Sequence, residues 1–199
     1  MLTKTPPYLT LAVFGLAVAL IYAGDKLGSS GTQALGTAIL ALGLVGIGVD
    51  SLRTRYFDMP VGSSLRSTAR FTFKGPGAVV WGLMCLALGL GALALSGVVL
   101  FGLEDSAQRL VMARPGIALA PVGFIFLCTA LGWLLGDETM NSSVPMFFVT
   151  LPHRIGAVIT LAFALAVLGV GVFELVAPSA FDRILESLRP PPAPQVPPR

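Results

Sequence analysis

The chain has 199 residues, 55% of them hydrophobic and only 12% charged, with a formal net charge of +3. Soluble domains carry about 25% charged residues, so this composition, with several uncharged runs near the length of a membrane span, excludes an ordinary soluble fold. The small positive excess does not argue for a nucleic-acid partner; in a membrane protein it reports topology and headgroup contact.

Met1 to Pro7 carries one lysine, Lys4, and precedes an apolar run from Tyr8 to Ala23. A signal peptide has a similar layout, but Tyr22-Ala23-Gly24-Asp25 lacks the small-x-small pattern of a cleavage site. The run therefore reads as a retained first helix over about 8–24, with Ala12, Gly15 and Ala19 forming its small face. Gly28-Ser-Ser-Gly31 is a turn. The second span, about 34–49, is short for a hydrocarbon core of about 30 Å, and it closes a hairpin with the first.

The segment from Asp50 to Lys74 is the most basic connection, with Arg53, Arg55, Arg66, Arg70 and Lys74 against Asp50 and Asp58. Aromatics sit among these charges at Tyr56-Phe57 and in Arg70-Phe-Thr-Phe-Lys74. Cations beside aromatics predict a segment lying at headgroup level, which also serves as the topology signal.

The third span, about 77–103, belongs to an uncharged run from Gly75 to Leu103 and is the expected centre of the fold. Gly82, Cys85, Gly89, Ala92 and Ser96 recur on it at spacings of three and four, so they share one helical face. Small residues so placed let helix backbones approach closely in lipid, where packing rather than water exclusion drives association. The sequence predicts a short loop over 104–116, then a fourth span at about 116–136 containing Pro121 and Trp133. A polar and then aromatic stretch (Phe147, Phe148) ends in Leu-Pro-His-Arg before a fifth span, about 155–177, with Ala157, Thr160, Ala164 and Gly171 along one face. Residues 179–189 form an amphipathic helix by the spacing of Phe181, Ile184, Leu185 and Leu188, with Ser179 as its cap. The proline-rich tail, 190–199, is expected to be disordered.

The predicted fold is an all-α integral membrane protein: a bundle of about five transmembrane helices followed by a short C-terminal amphipathic helix. The basic segment after the second span orients it with that segment and the N-terminus in the cytoplasm and the C-terminus outside. Ten arginines against three lysines, with abundant Ala, Leu and Gly, suit a GC-rich bacterial genome and hence a bacterial inner membrane.

Chemistry-bearing residues are sparse within the spans. Cys85 and Cys128 lack metal-ligand spacing and read as packing residues. Glu174 is the one acidic residue within a span, in the last turns of the fifth, and reads as an interfacial glutamate with a weak claim as an ion or substrate ligand. His153 is the sole histidine, so one chain cannot form a bis-histidine haem site; it reads as flanking a helix, with a weak claim as a single ligand. No catalytic set, cofactor or metal is expected. Gly77-Ala-Val-Val80 resembles Gly156-Ala-Val-Ile159, a similarity that shared apolar composition explains.

The expected function is that of an accessory or scaffolding subunit of a larger membrane complex rather than an enzyme. Its expected partners are the lipid bilayer and other membrane subunits or further copies of itself, and no nucleic acid. The alternative is a transport protein, or transporter subunit, for a neutral or lipidic substrate.

Overall fold

The computed structural model describes residues 7–60, 70–140 and 146–188. In chain order they form α1 (Pro7–Leu27), α2 (Ser30–Thr54), β1 (Tyr56–Pro60), β2 (Arg70–Lys74), α3 (Pro76–Leu100), α4 (Glu104–Ala113), α5 (Gly116–Leu135), β3 (Asp137–Met140), α6 (Met146–Val176) and α7 (Pro178–Ser187). Four helices are long and apolar enough to cross a membrane: α2, α3, α5 and the Leu151–Val176 part of α6. With 21 residues, α1 is a fifth long helix. Arg66 and the tail from 190 lie outside the described residues.

Several boundaries differ from the sequence reading, each for a local reason. The second helix is 25 residues long rather than about 16, because Ser29, in extended conformation, accepts a hydrogen bond from the Thr32 N–H. That cap turns the polar Ser30–Gln33 stretch into the first turn of the helix. At its other end Arg55 adopts the left-handed conformation (φ 53°) and its N–H bonds to the Ser51 carbonyl. Residues 104–113 form a helix where a loop was expected, with Glu104 and Asp105 in the first turn complementing the helix dipole. The sixth helix starts at Met146 and carries Pro152 within it. In α7, Pro178 occupies the first turn and Ser179 makes no cap; its carbonyl instead accepts from Arg183 Nε at 3.2 Å.

The unforeseen element is a three-stranded antiparallel sheet in the order β1-β2-β3. Phe57 lies opposite Phe73, Lys74 opposite both Tyr56 and Asp137, and Phe73 opposite Glu138. The alternation in Arg70-Phe-Thr-Phe-Lys74 is thus that of a paired strand with one face turned to the helices. Gly75 follows at φ 64°, a conformation open to glycine, and its N–H bonds to the Arg55 carbonyl, tying the strand pair to the end of α2.

The long helices pack in series. Extensive contacts join α1 to α2, α2 to α3, α3 to α5 and α5 to α6, so they form an open row with α3 in the middle. Each junction depends on close backbone approach. A Cβ at Gly36 would lie 2.7 Å from the Ala17 carbonyl, one at Gly48 2.8 Å from the Gly82 carbonyl, and one at Gly171 2.6 Å from the Ala120 nitrogen. The buried hydrophobic set is correspondingly small in side-chain size, mainly Ala17, Ala34, Ala41, Ala78, Ala130, Ala157 and Ala164. Large apolar side chains point outward along the helices: Phe14, Leu42, Leu90, Leu95, Ile159 and Leu165 are all more than 50% exposed.

On α1 the expected small face is not the packed one. Ala12, Gly15 and Ala19 are exposed, whereas Ala17 and Gly24 are buried against α2. Gly36 on α2 fits under Ala17 and Ile21, and that fit sets the rotation of α1.

Candidate functional site

The sheet caps one end of the helix row, where α2 ends, α3 begins, α5 ends and α6 begins. Its anchorage is aromatic. Phe57 of β1 stacks on Trp81 of α3 with ring centroids 5.6 Å apart and planes within 6°. Phe73 of β2 contacts Trp81 at 5.4 Å and meets Trp133 of α5 edge-on at 5.2 Å. Trp81 and Trp133 are themselves edge-to-face at 5.9 Å. These are the offset and edge-on geometries that ring quadrupoles favour. Phe73 is the largest fully buried side chain among the described residues.

Glycines let the rings in. Gly77 of α3 and Gly136 after α5 are in backbone contact, and the Phe73 ring covers Gly136. The indole of Trp81 rests on Gly132, with a Cβ there only 2.7 Å from Nε1. The Trp81 N–H is buried without a hydrogen-bond partner among the described residues. Nearby, Thr129 donates to the Ile125 carbonyl at 2.9 Å and lies 3.3 Å from Met84 Sδ.

His153 sits at this end, exposed, with its ring stacked on Trp133 at 4.4 Å. The two border an open groove of about 300 Å³ between α5 and α6, floored by Ala130, Gly156 and Ala157 and reaching Thr160. Arg53, Arg55 and Lys74 are exposed around the sheet, and Arg70 pairs in register with Pro60. The outer edges of β1 and β3 flank the sheet.

Glu174 lies at the opposite end of α6. Twenty-one residues separate it from His153, about 31 Å along a helix axis, so the two side chains cannot serve one site. Glu174 is 4% exposed, and its Oε2 accepts a 3.0 Å hydrogen bond from the Gly116 N–H, the first residue of α5. The carboxylate therefore caps a neighbouring helix N-terminus, where the dipole favours negative charge. Read from the sequence as an interfacial glutamate, it turns inward to the start of α5.

The small-residue face of α3 meets α2. A Cβ at Gly82 would be 3.0 Å from the Gly48 carbonyl and one at Gly89 2.8 Å from the Ala41 carbonyl, while at Gly91 it would meet nothing within 4 Å. Cys85 and Ser96 are buried on the same face and Ala92 is half-buried. Cys85 joins the packing beneath Phe57, Phe73 and Trp81, and Cys128 is buried on α5; both thiols are free. Among the described residues no group of three or more His, Cys, Asp or Glu side chains is placed to hold a metal ion.

Sequence reasoning did not find the aromatic cluster. Its members lie on four elements spread over more than seventy residues, and only the sheet brings them together. No protein-family model, no curated protein and no solved structure matches this chain.

Proposed function

We propose that this chain is a five-span protein of a bacterial cytoplasmic membrane that serves as an accessory or scaffolding subunit of a larger membrane assembly. The observation that carries the reading is the distribution of side-chain size. Glycine and alanine occupy the helix contacts while leucine, isoleucine, valine and phenylalanine face outward. Water would penalise that surface heavily, since monomeric soluble proteins rarely expose apolar patches beyond a few hundred Å². In hydrocarbon the outward residues are at home, and close backbone packing supplies the association energy.

The open row supports a role among neighbours. A row of helices leaves both broad faces for lipid or for other transmembrane segments, and the sheet offers strand edges outside the bilayer, where main-chain groups can pair with another chain. The cations at the sheet end (Arg53, Arg55, Arg70 and Lys74) orient that end toward the cytoplasm under the positive-inside rule. In this orientation α4 and α7 lie at the outer surface, with Met112 and Leu188 more than 70% exposed as their apolar contacts to the interface.

The test is affinity purification of the tagged full chain from native membranes in mild detergent, followed by mass spectrometry of the intact complex. A stoichiometric foreign membrane subunit is expected. A homo-oligomer free of other chains would overturn the accessory role and favour autonomous transport of a neutral or lipidic substrate.

A further inference from the structure

The tight α2–α3 contact ends abruptly at Ser96. At Gly82 and Gly89 the α2 backbone lies directly opposite, but at Ser96 the helices border a cleft of about 230 Å³. Its polar lining is Ser30, Gln33, Thr37 and Ser96, and its apolar rim includes Leu95 and Val99. Ser96 is 3% exposed, and its hydroxyl has no hydrogen-bond partner among the described residues. Buried hydroxyls are nearly always paired, so an unpaired one on a cleft wall points to a missing partner.

The cleft also adjoins the N-terminus of α2. Ser29 satisfies the N–H groups of Thr32 and Gln33, leaving those of Ser30 and Gly31 without partners among the described residues. The Gln33 carboxamide makes no hydrogen bond there either, and Thr37 spends its proton on the Gln33 carbonyl at 2.9 Å. Among the described residues no carboxylate lines the cleft. The site is therefore rich in donors, positive by the helix dipole, and suited to a ligand made of acceptors.

Depth narrows the choice. A 25-residue helix is about 37 Å long and exceeds a hydrocarbon core of about 30 Å. Ser96, four residues before Leu100, then lies about 6 Å inside the helix end, near the boundary between headgroups and acyl chains. Leu95, exposed beside it, opens the cleft sideways toward lipid.

We propose that this cleft binds one phosphoglyceride of the leaflet opposite the sheet, an inference that rests on the membrane reading above. An ester carbonyl accepts from the Ser96 hydroxyl, the phosphate sits toward the Ser30 and Gly31 N–H groups, and the acyl chains leave past Leu95 and Val99.

The delipidated full chain in detergent, titrated with dioleoyl phosphatidylglycerol and followed by native mass spectrometry, tests this. One lipid should be retained per chain, and Ser96→Ala should weaken it about five- to tenfold, the value of one hydrogen bond. The diether analogue, which lacks the carbonyls, should bind wild type as weakly as the ester lipid binds Ser96→Ala, and Ser96→Ala should not weaken it further. Gly97→Ala, with open space around it, should bind as wild type. Equal binding of ester and ether lipids, an unaffected Ser96→Ala, or displacement by inorganic phosphate alone would each overturn the site. Carbonate washing of membranes separates the two levels. A chain that stays in the washed membranes but fails these arms loses only the lipid site, whereas release into the supernatant overturns the membrane reading and this site with it.

Discussion

The middle of the helix row and its sheet-capped end are held together in opposite ways. Away from the sheet, helices touch through Gly89, Gly123 and Gly171, and the contact is largely backbone against backbone. At the sheet end, four large rings fill the junction and Phe73 is wholly enclosed. The difference follows from the surroundings each region is suited to. Inside hydrocarbon, a large side chain gains nothing by moving from lipid to a protein neighbour, so small residues win the interface through dispersion at short range. On the proposed membrane reading the sheet end lies at the water boundary, where burying Phe57, Phe73 and the two tryptophans removes apolar area from water, at roughly 25 cal/mol per Å². The molecule thus changes its packing chemistry along its length.

Four experiments can break or sharpen that contrast. The most decisive asks whether the two ends lie on opposite sides of a membrane. Cys85 and Cys128 are buried, so introduced cysteines can be read against a low background. In intact cells a membrane-impermeant maleimide should label Ser187→Cys and spare Lys74→Cys, both exposed positions. Labelling of both would mean that α3, α5 and α6 do not together cross the bilayer an odd number of times.

Among stability effects, Phe73→Ala should be the largest, about 3–5 kcal/mol by analogy with other large-to-small core changes. Thermal unfolding in detergent measures it, and a loss below about 1 kcal/mol would mean that the rings decorate the junction instead of closing it. Next comes Gly89→Leu, where overpacking typically costs about 1–3 kcal/mol. Its control, Gly91→Leu, points into open space and should be tolerated. If both variants give the same yield of folded protein, close approach between α2 and α3 is not what stabilises the middle.

The smallest effect concerns Glu174. Glu174→Gln keeps an oxygen for the Gly116 N–H and loses only the charge–dipole part, about 0.3–1 kcal/mol. Glu174→Ala strands that N–H and should cost more, about 1–3 kcal/mol. A Glu174→Gln variant that fails in assembly or activity a hundredfold, yet unfolds at the wild-type temperature, would show that the charge acts on something other than α5.

The long apolar helices were legible in the sequence, because an uncharged run such as 75–103 needs no partner to be recognised. The face of α3 carrying Gly82, Gly89 and Ser96 was legible too, since small residues at spacings of three and four stand out on a helix otherwise rich in leucine. The same rule misread α1, where alanine and glycine occur on several faces and only the fit of Gly36 beneath Ala17 selects one. Arg70-Phe-Thr-Phe-Lys74 displayed its alternation openly, but a lone amphipathic segment and a strand share that pattern. Pairing with Tyr56–Pro60 and with Asp137–Met140, a stretch of low strand propensity, decided between them. Glu174 was visible as an odd charge in an apolar helix, and its inward direction was not. Gly171 packed on Ala120 sets the rotation of α6, and that rotation brings the carboxylate to the first N–H of α5. Local hydrophobicity by itself determined which segments are the long apolar helices, but not where α2 and α6 begin, nor that residues 104–113 are helical. Rotation about each helix axis, the sheet, the aromatic junction and the cleft at Ser96 were decided only in the tertiary structure, because each depends on a fit between residues that the chain itself keeps far apart.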